Sequence, residues 1–598
     1  MAQERKTRSY VGDYGGVPTL FVNGAPFPAA AYMTYLEEYN DYASFAGAGY
    51  RLFSVPVLCA GRWINSAVDG KPFHSGIFDK KDAPDFSALD ASVRRVLSAC
   101  PEAYIFPRIN LSAPLWWIAE HPESTDGTGK RELLFSEAYR ALADKMLRTV
   151  IRHIQSSDYA PHIVGYQLAG GNTEEWFHFD LNGGYCENAI PAFNAYLDAR
   201  CAGCGFTGLP DLSPLKAPGP LHNDEHLARY LEFANRAVAD TIRGLCAAAK
   251  EETGGTLAVG TFYGYSLEVS SPLWGTHALR ALLDCGDVDF ICSPNSYIGT
   301  RAPDADWTEM YPADSVRLHG KLCLQECDVR THLTRPLSEA APEYDPEKRY
   351  AAPIWQPLKS KELAIGMLRK TFCRQLIRGN GFWWFDMWCG WYRDPELLME
   401  LEQMRKIYSE SLARPDRKSV AEFAVFVDET AYRQMTESPL RDVPYRQREQ
   451  LGRMGAPYDV YDAGDFETVY KRYKAVLFAS ACLTELLLRA KALCGENRVP
   501  CLAVSEAKPL FSPSELRDFC KTNGVHLYCE TDDIIYVNGN YLAVHATGDG
   551  VKTVSLGGVY SYRELLTERG ARGKSETLRI RMKKNETALF AVRRECER

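Results

Sequence analysis

Short apolar runs alternate with longer, mixed stretches through the first two-thirds of the chain. The runs cover 29–34, 50–55, 103–108, 163–168, 257–262, 290–293, 322–326 and 381–386. Apolar runs of this length, bounded by polar or turn residues, read as strands buried on both faces. The stretches between them read as helices. A hairpin over Thr19-Leu20-Phe21-Val22-Asn23-Gly24-Ala25-Pro26-Phe27 comes first. Eight buried strands with helices between them, over roughly 400 residues, predict an α/β fold, a (β/α)8 TIM barrel carrying insertions. Polar and aromatic residues gather where each strand ends, the face on which such barrels place their active sites.

The pattern changes near residue 416. The runs 423–427, 476–479, 502–504 and 525–528 predict short buried parallel strands, with helices over 483–492 and 513–522. This is the pattern of a small doubly wound α/β domain. It has no GxGxxG and no P-loop, so no nucleotide site is expected. The last ~65 residues predict an all-β domain. Leu578-Arg579-Ile580-Arg581-Met582 alternates, and Lys584-Asn585-Glu586 turns into a strand over 587–592. All eleven tryptophans lie between Trp63 and Trp391. That shift places a boundary in Ala413-Arg414-Pro415-Asp416-Arg417-Lys418. The expected domains are 1–415, 416–530 and 531–598.

Composition narrows the classes of partner. The chain has 598 residues, 46% hydrophobic and 24% charged, with a net charge of -8 spread without runs. This argues against nucleic acid or a membrane surface as the main partner. Met1-Ala2-Gln3-Glu4-Arg5-Lys6-Thr7-Arg8 has no apolar core, so it is not a secretory signal. No apolar stretch approaches the ~20 residues of a membrane span. A cytoplasmic location is expected. The eighteen cysteines, Cys292, Cys323 and Cys327 among them, then read as reduced, small apolar side chains. Cys201 and Cys204 have metal-ligand spacing, but no second pair completes a zinc site, and no metal or cofactor is expected.

Two glutamates carry the chemistry. Glu326 closes the strand Lys321-Leu322-Cys323-Leu324-Gln325-Glu326. The other lies in Tyr166-Gln167-Leu168-Ala169-Gly170-Gly171-Asn172-Thr173-Glu174-Glu175-Trp176. Two carboxylates on separate strands of one barrel are what glycoside hydrolysis needs, one as acid/base and one as nucleophile. Glu326 is read as the nucleophile, ionised near neutral pH, with Arg108 beside it to stabilise the charge. Glu174 and Glu175 are adjacent and cannot point the same way. Glu175 is preferred as acid/base because Trp176 follows it and could raise its pKa; Glu174 is the alternative. Trp116, Trp117, Trp383, Trp384, Trp388, Trp391 and Tyr392 follow the third and eighth strands, and flat rings complement the C–H faces of sugars. Asn110, Asn172 and Asp386 are candidates for sugar hydroxyls, and Tyr297 for a hydrogen bond to the nucleophile. Retention requires the two carboxyl groups to lie about 5–5.5 Å apart.

This arrangement resembles the clan of retaining glycoside hydrolases on (β/α)8 barrels, whose acid/base ends strand four and whose nucleophile ends strand seven. Within it the chain looks most like glycoside hydrolase family 42 β-galactosidases and their β-mannosidase-like relatives. The resemblance implies an exo-acting β-galactosidase and a homotrimer. It also implies a middle domain of glutamine-amidotransferase-like fold that serves in assembly. It matches Arg108 to the clan's strand-three arginine, with Arg51 a competing match, Tyr297 to its strand-six tyrosine and Trp384 to its strand-eight tryptophan. The family pattern Trp-Gln-Leu-Asp-Asn-Glu is kept only as Tyr166-Gln167-Leu168. Where the clan has Asn directly before the acid/base, this chain has Glu174, and Asn172 is displaced. A divergent sister family is implied. The rival readings are a β-mannosidase or other β-glycosidase, and a non-catalytic carbohydrate-binding protein. A third is a working amidotransferase-like domain using Ala479-Ser480-Ala481-Cys482. Insertions at 177–220 and 330–356 are expected to wall the cleft and suit it to short oligosaccharides or terminal sugars.

Overall fold

A computed structural model describes residues 7–595, apart from 63–70, 172–173, 178–183, 220, 269–270, 298–300, 415, 437–442, 481, 483 and 568–569. A small antiparallel sheet of β1 (Ser9–Tyr14), β2 (Val17–Val22) and β3 (Ala25–Pro26) precedes the main body. The hairpin is as the sequence predicts, but β1 is additional. Its Ser9-Tyr10-Val11-Gly12-Asp13-Tyr14 mixes polar and apolar residues and shows no buried run. It closes on β2 from Ser9 to Val22.

Eight parallel strands then form a closed barrel: β4 (Ala30–Met33), β5 (Leu52–Leu58), β6 (Tyr104–Asn110), β7 (Gly165–Ala169), β8 (Ala258–Phe262), β9 (Phe290–Pro294), β10 (Leu322–Cys327) and β11 (Gly381–Phe385). β11 pairs with both β10 and β4, which closes the ring. Nearly every strand residue is buried, because helices cover the outside while side chains fill the inside. The helices are bounded by their own residues. Asp224 caps Glu225–Thr253 by accepting from the Leu227 amide at 2.9 Å, and Gly254 ends it in the left-handed conformation at φ 58°. Ser360 and Gly379 bound Lys361–Arg378 in the same way.

A second, parallel sheet contains β12 (Phe423–Val427), β13 (Tyr458–Asp462), β14 (Ala475–Phe478) and β15 (Cys501–Ala503) in the order β13-β12-β14-β15. Here the sequence expectation needs one correction. Residues 525–528 are not a strand; they follow the helix Pro513–Thr522 as irregular chain. The fourth strand is β13, whose two aspartates hide its buried character. Asp459 is tolerated inside because Arg378 (3.0 Å), Ser419 (2.7 Å) and Tyr473 (2.7 Å) all donate to it.

The C-terminal sheet is antiparallel, with β16 (Ile534–Val537), β17 (Tyr541–His545), β18 (Gly550–Glu564), β19 (Arg572–Met582) and β20 (Thr587–Arg594) in the order β16-β17-β20-β18-β19. Leu578, Ile580 and Met582 face inward while Arg579 and Arg581 face out, as the alternation predicts. The turn before β20 places Asn585 at φ 66°.

The helix Lys361–Arg378 joins the barrel to the two sheets that follow it. Arg374 holds Asp306 at 2.8 Å, and Asp306 also accepts from Tyr458 (3.0 Å) and Tyr536 (2.8 Å) of the other two units. Two turns away, Gly366 lies against the Asn585 turn, where a methyl group would overlap the Asn585 carbonyl oxygen. Gly→Ala ordinarily stabilises a helix interior by about 1 kcal/mol. Gly366→Ala is expected to destabilise instead, by about 1–3 kcal/mol, because the obstacle is backbone and cannot swing aside. Urea denaturation of the variant checks this.

Candidate active site

The barrel mouth is organised around one arginine. Arg108, near the end of β6, is fully buried, with its guanidinium 5.1 Å from the ring centres of Phe262 and Trp383. Its Nη1 donates to Glu174 Oε2 at 2.9 Å, its Nη2 to Glu326 Oε2 at 3.2 Å, and its Nε to Gln167 Oε1 at 3.4 Å. Although burial opposes the charge, the neighbouring Glu174, Tyr35 and Glu326 hold the guanidinium firmly protonated.

Glu326 is the second-to-last residue of β10. Burial pushes its carboxyl up to about 8, against the pull of Arg108 and with further push from Asp328 and Glu174. The proton must therefore leave Glu326 before it can serve as the nucleophile that the sequence suggests. Desolvation outweighs one shared guanidinium.

The loop after β7 separates the two adjacent glutamates. Glu174 and Trp176 both adopt left-handed backbone, at φ 68° and φ 64°. Such conformations are uncommon for residues other than glycine and persist only when the surroundings fix them. Here the Trp176 amide bonds the Gly170 carbonyl at 2.7 Å, and the indole donates to Thr261 at 3.0 Å. A side chain at Gly170 would overlap that indole, so Gly170 is required for the approach. The reversals send Glu174 back onto Arg108, with Tyr35 donating to it at 2.5 Å, and leave Glu175 on the cavity side, where Tyr265 donates to it at 3.1 Å.

A cavity of about 320 Å³ opens above Arg108. Glu175, Glu326 and Arg108 all line it, with Tyr35, Tyr265 and Tyr297 supplying phenols. Phe177, Phe385, Met387, Tyr350 and Trp355 form apolar walls, and Arg349 adds a cation. Apolar walls around a few convergent polar groups are the usual make-up of a small-ligand site.

Several sequence candidates lie elsewhere. Trp384 points out of the barrel, donating to the Tyr50 hydroxyl at 2.8 Å and packing on Phe382. β11 alternates, so Trp383 and Phe385 take the inner face, and sequence alone did not fix that phase. Asn110 bonds its own turn at the Ser112 amide, 3.0 Å away. Asp386 is fully buried, accepting from Tyr32 (3.1 Å), Gly390 (3.0 Å) and Trp391 (3.1 Å). Burial and nearby Asp41 raise it to about 7. Trp117 packs on His121, and Trp176 is core beneath its loop. Trp388 stands one layer behind the wall, 5.0 Å from Tyr350 and 6.3 Å from Trp355. Tyr297 lines the cavity, its ring backed by Arg301 at 3.9 Å. Arg51 is half exposed and pairs with Glu102 at 2.9 Å, whereas Arg108 lines the cavity. Asn172 lies outside the described residues. Cys201 and Cys204 are free thiols, and no cluster of three or more potential metal ligands occurs among the described residues.

Tyr35, Tyr265 and Arg349 were not among the sequence candidates. Tyr35 and Tyr265 lie two or three residues past strand ends, and an aromatic in that position is the signal that could have found them. Tyr350 and Trp355 fall inside the 330–356 insertion that was expected to wall the cleft.

The sequence matches no family model and no curated protein. Solved structures with the same fold do match. A β-galactosidase from Bacillus circulans sp. alkalophilus is 13% identical with a TM-score of 0.63, over 95% of this chain and 99% of that one. A GH42 β-galactosidase from G. stearothermophilus is 11% identical with a TM-score of 0.59, over 98% and 100%. An exo-carrageenase GH42 from Bacteroides ovatus is 13% identical with a TM-score of 0.58, over 99% and 86%. The chain thus has the fold of family 42 glycoside hydrolases along nearly its whole length, barrel and both following units included. Among the described residues, no helix is long and apolar enough to cross a membrane.

Proposed function

We propose that the protein is a retaining, exo-acting β-glycosidase with β-galactosides as its substrates. The observation that carries this reading is that Glu175 and Glu326 line one cavity, with Arg108 at its floor. Glu326, once ionised, attacks the anomeric carbon while Glu175 protonates the leaving oxygen. Glu175 then deprotonates the water that releases the sugar from Glu326. Glu174 is the weaker acid/base candidate, because it is only 1% exposed and is already engaged by Arg108 and Tyr35. Walls built from Tyr350, Trp355 and Phe177 favour a terminal sugar over the interior of a long chain.

Arg349 in the cavity wall favours a second reading, a galactan bearing an anionic substituent. The similarity in fold to an exo-carrageenase points the same way. We further propose a cytoplasmic enzyme, in keeping with its free thiols, and self-association through 416–530, which sedimentation would test.

The test is hydrolysis of a panel of p-nitrophenyl β-glycosides, β-mannoside included, and of sulfated galacto-oligosaccharides. The β-galactoside is expected to be cleaved with retention. Glu175→Ala is expected to lower kcat/KM by about 10²–10⁴-fold on substrates with poor leaving groups, and by less on p-nitrophenyl substrates that need little protonation. A wild type inert on every glycoside would put the carbohydrate-binding reading first.

A further inference from the structure

We infer that Glu174 is a positioning residue that sets the charge state of Glu326 by holding half of the Arg108 guanidinium. The functional consequence rests on the glycosidase reading; the charge relation itself does not.

The geometry places one positive charge between two buried carboxylates. Arg108 gives Nη1 to Glu174 at 2.9 Å and Nη2 to Glu326 at 3.2 Å, and each of these side chains is 4% exposed or less. Carboxylates sharing one cation in low dielectric compete for it, and the pair resists double ionisation. The surroundings decide which of them keeps the negative charge. Glu174 receives the shorter Arg108 contact and a second donor, the Tyr35 hydroxyl at 2.5 Å. Among the described residues, Glu326 receives only the longer contact from Arg108.

Other groups around Glu326 do not reverse this ranking. Asp328, two residues on, adds negative charge, but Arg301 binds it at 2.6 Å and Arg330 at 2.5 Å. Tyr265 and Tyr297 face the same cavity, and burial holds both phenols protonated. The Cys292 and Cys327 thiols on β9 and β10 are likewise held neutral by burial. Glu175 lies on the cavity side of the loop with Tyr265.

Glu174 takes the shorter Arg108 contact, and Glu326, which burial pushes up, carries the proton in the resting protein. A nucleophile must be ionised, so activity is expected to rise with pH through the Glu326 midpoint. In the position directly before the acid/base, where the resembled clan has a neutral asparagine, a carboxylate moves the working range of the site upward.

The experiment is a 13C-carboxyl titration of the full-length, glutamate-labelled protein, with Glu326→Gln identifying the resonance. The wild-type midpoint is expected near 8. Glu174→Gln, or the smaller Glu174→Asn if the first fails to fold, frees Arg108 for Glu326. It is expected to lower that midpoint by about one pH unit or more, and the acid limb of kcat/KM by the same amount. A wild-type midpoint in the ordinary glutamate range near ~4.3 overturns the inference without any variant. So does a Glu326 midpoint unmoved in the neutral variants; a purely structural role for Glu174 would lower the yield of folded protein and leave the midpoint where it was. If the wild type cleaves no glycoside, the glycosidase reading fails while the titration still decides the charge relation.

Discussion

Glu326→Ala is expected to lower kcat/KM for the cleaved glycoside by about 10⁴-fold or more, with the fold intact. The size follows from the role. Without the carboxylate there is no covalent intermediate, and water must attack directly from a site not built to activate it. The fold is expected to survive because Arg108 keeps Glu174 as partner at 2.9 Å. The residue removed is also one whose charge burial disfavours. The space left beside the anomeric carbon admits a small anion. Azide or formate is expected to restore turnover in the variant, with inversion, since one displacement then replaces two. Steady-state kinetics with and without azide, and product configuration by NMR, check this. Full activity in Glu326→Ala would reject the catalytic assignment.

Arg108→Met carries the second large effect, on stability as well as turnover. It leaves Glu174 and Glu326 buried without their shared cation. Removing one partner of a buried ion pair costs about 3–5 kcal/mol. The loss depends on pH, and its sign can be worked out. Without the guanidinium the Glu326 carboxyl, already pushed up by burial, lies further above the unfolded value of ~4.3. Between those values the folded protein binds more protons than the unfolded chain, so stability falls as pH rises. The deficit of Arg108→Met is therefore expected to be largest at alkaline pH and to shrink towards pH ~5. Urea unfolding followed by tryptophan fluorescence measures it where it matters, because all eleven tryptophans precede residue 392. A deficit independent of pH would mean that packing of Arg108 on Phe262 and Trp383, not charge, holds the barrel mouth.

Much of the architecture was legible because buried strands have a one-dimensional signature. Each of the eight barrel strands is a mostly apolar run, since both faces of a parallel barrel are covered. The run 322–326 thus marked β10 and put Glu326 at its mouth. β13 was missed for the opposite reason. Its Asp459 is buried through Arg378, Ser419 and Tyr473, which are 40 or more residues away except Tyr473 at 14, and a local pattern cannot register partners at such distances. Trp384 failed by phase. Adjacent tryptophans on one strand face opposite sides, and the pattern does not say which is inside. Tyr35 and Tyr265 lie just past the strand ends, in loop positions with no periodicity to mark them.

The sequence by itself determined the barrel, the order of the three structural units and the two strand ends that carry glutamates. Those follow from local hydrophobic pattern, which acts over a few residues at a time. Only the tertiary structure decided the rest. It brought Arg108, Glu174 and Glu326 into one cluster from positions up to 218 residues apart. It also turned Glu174 inward and left Glu175 on the cavity wall, and it raised Glu326 above the ordinary carboxylate range. Charge compensation and desolvation depend on which groups meet in space, and closing the barrel is what makes them meet.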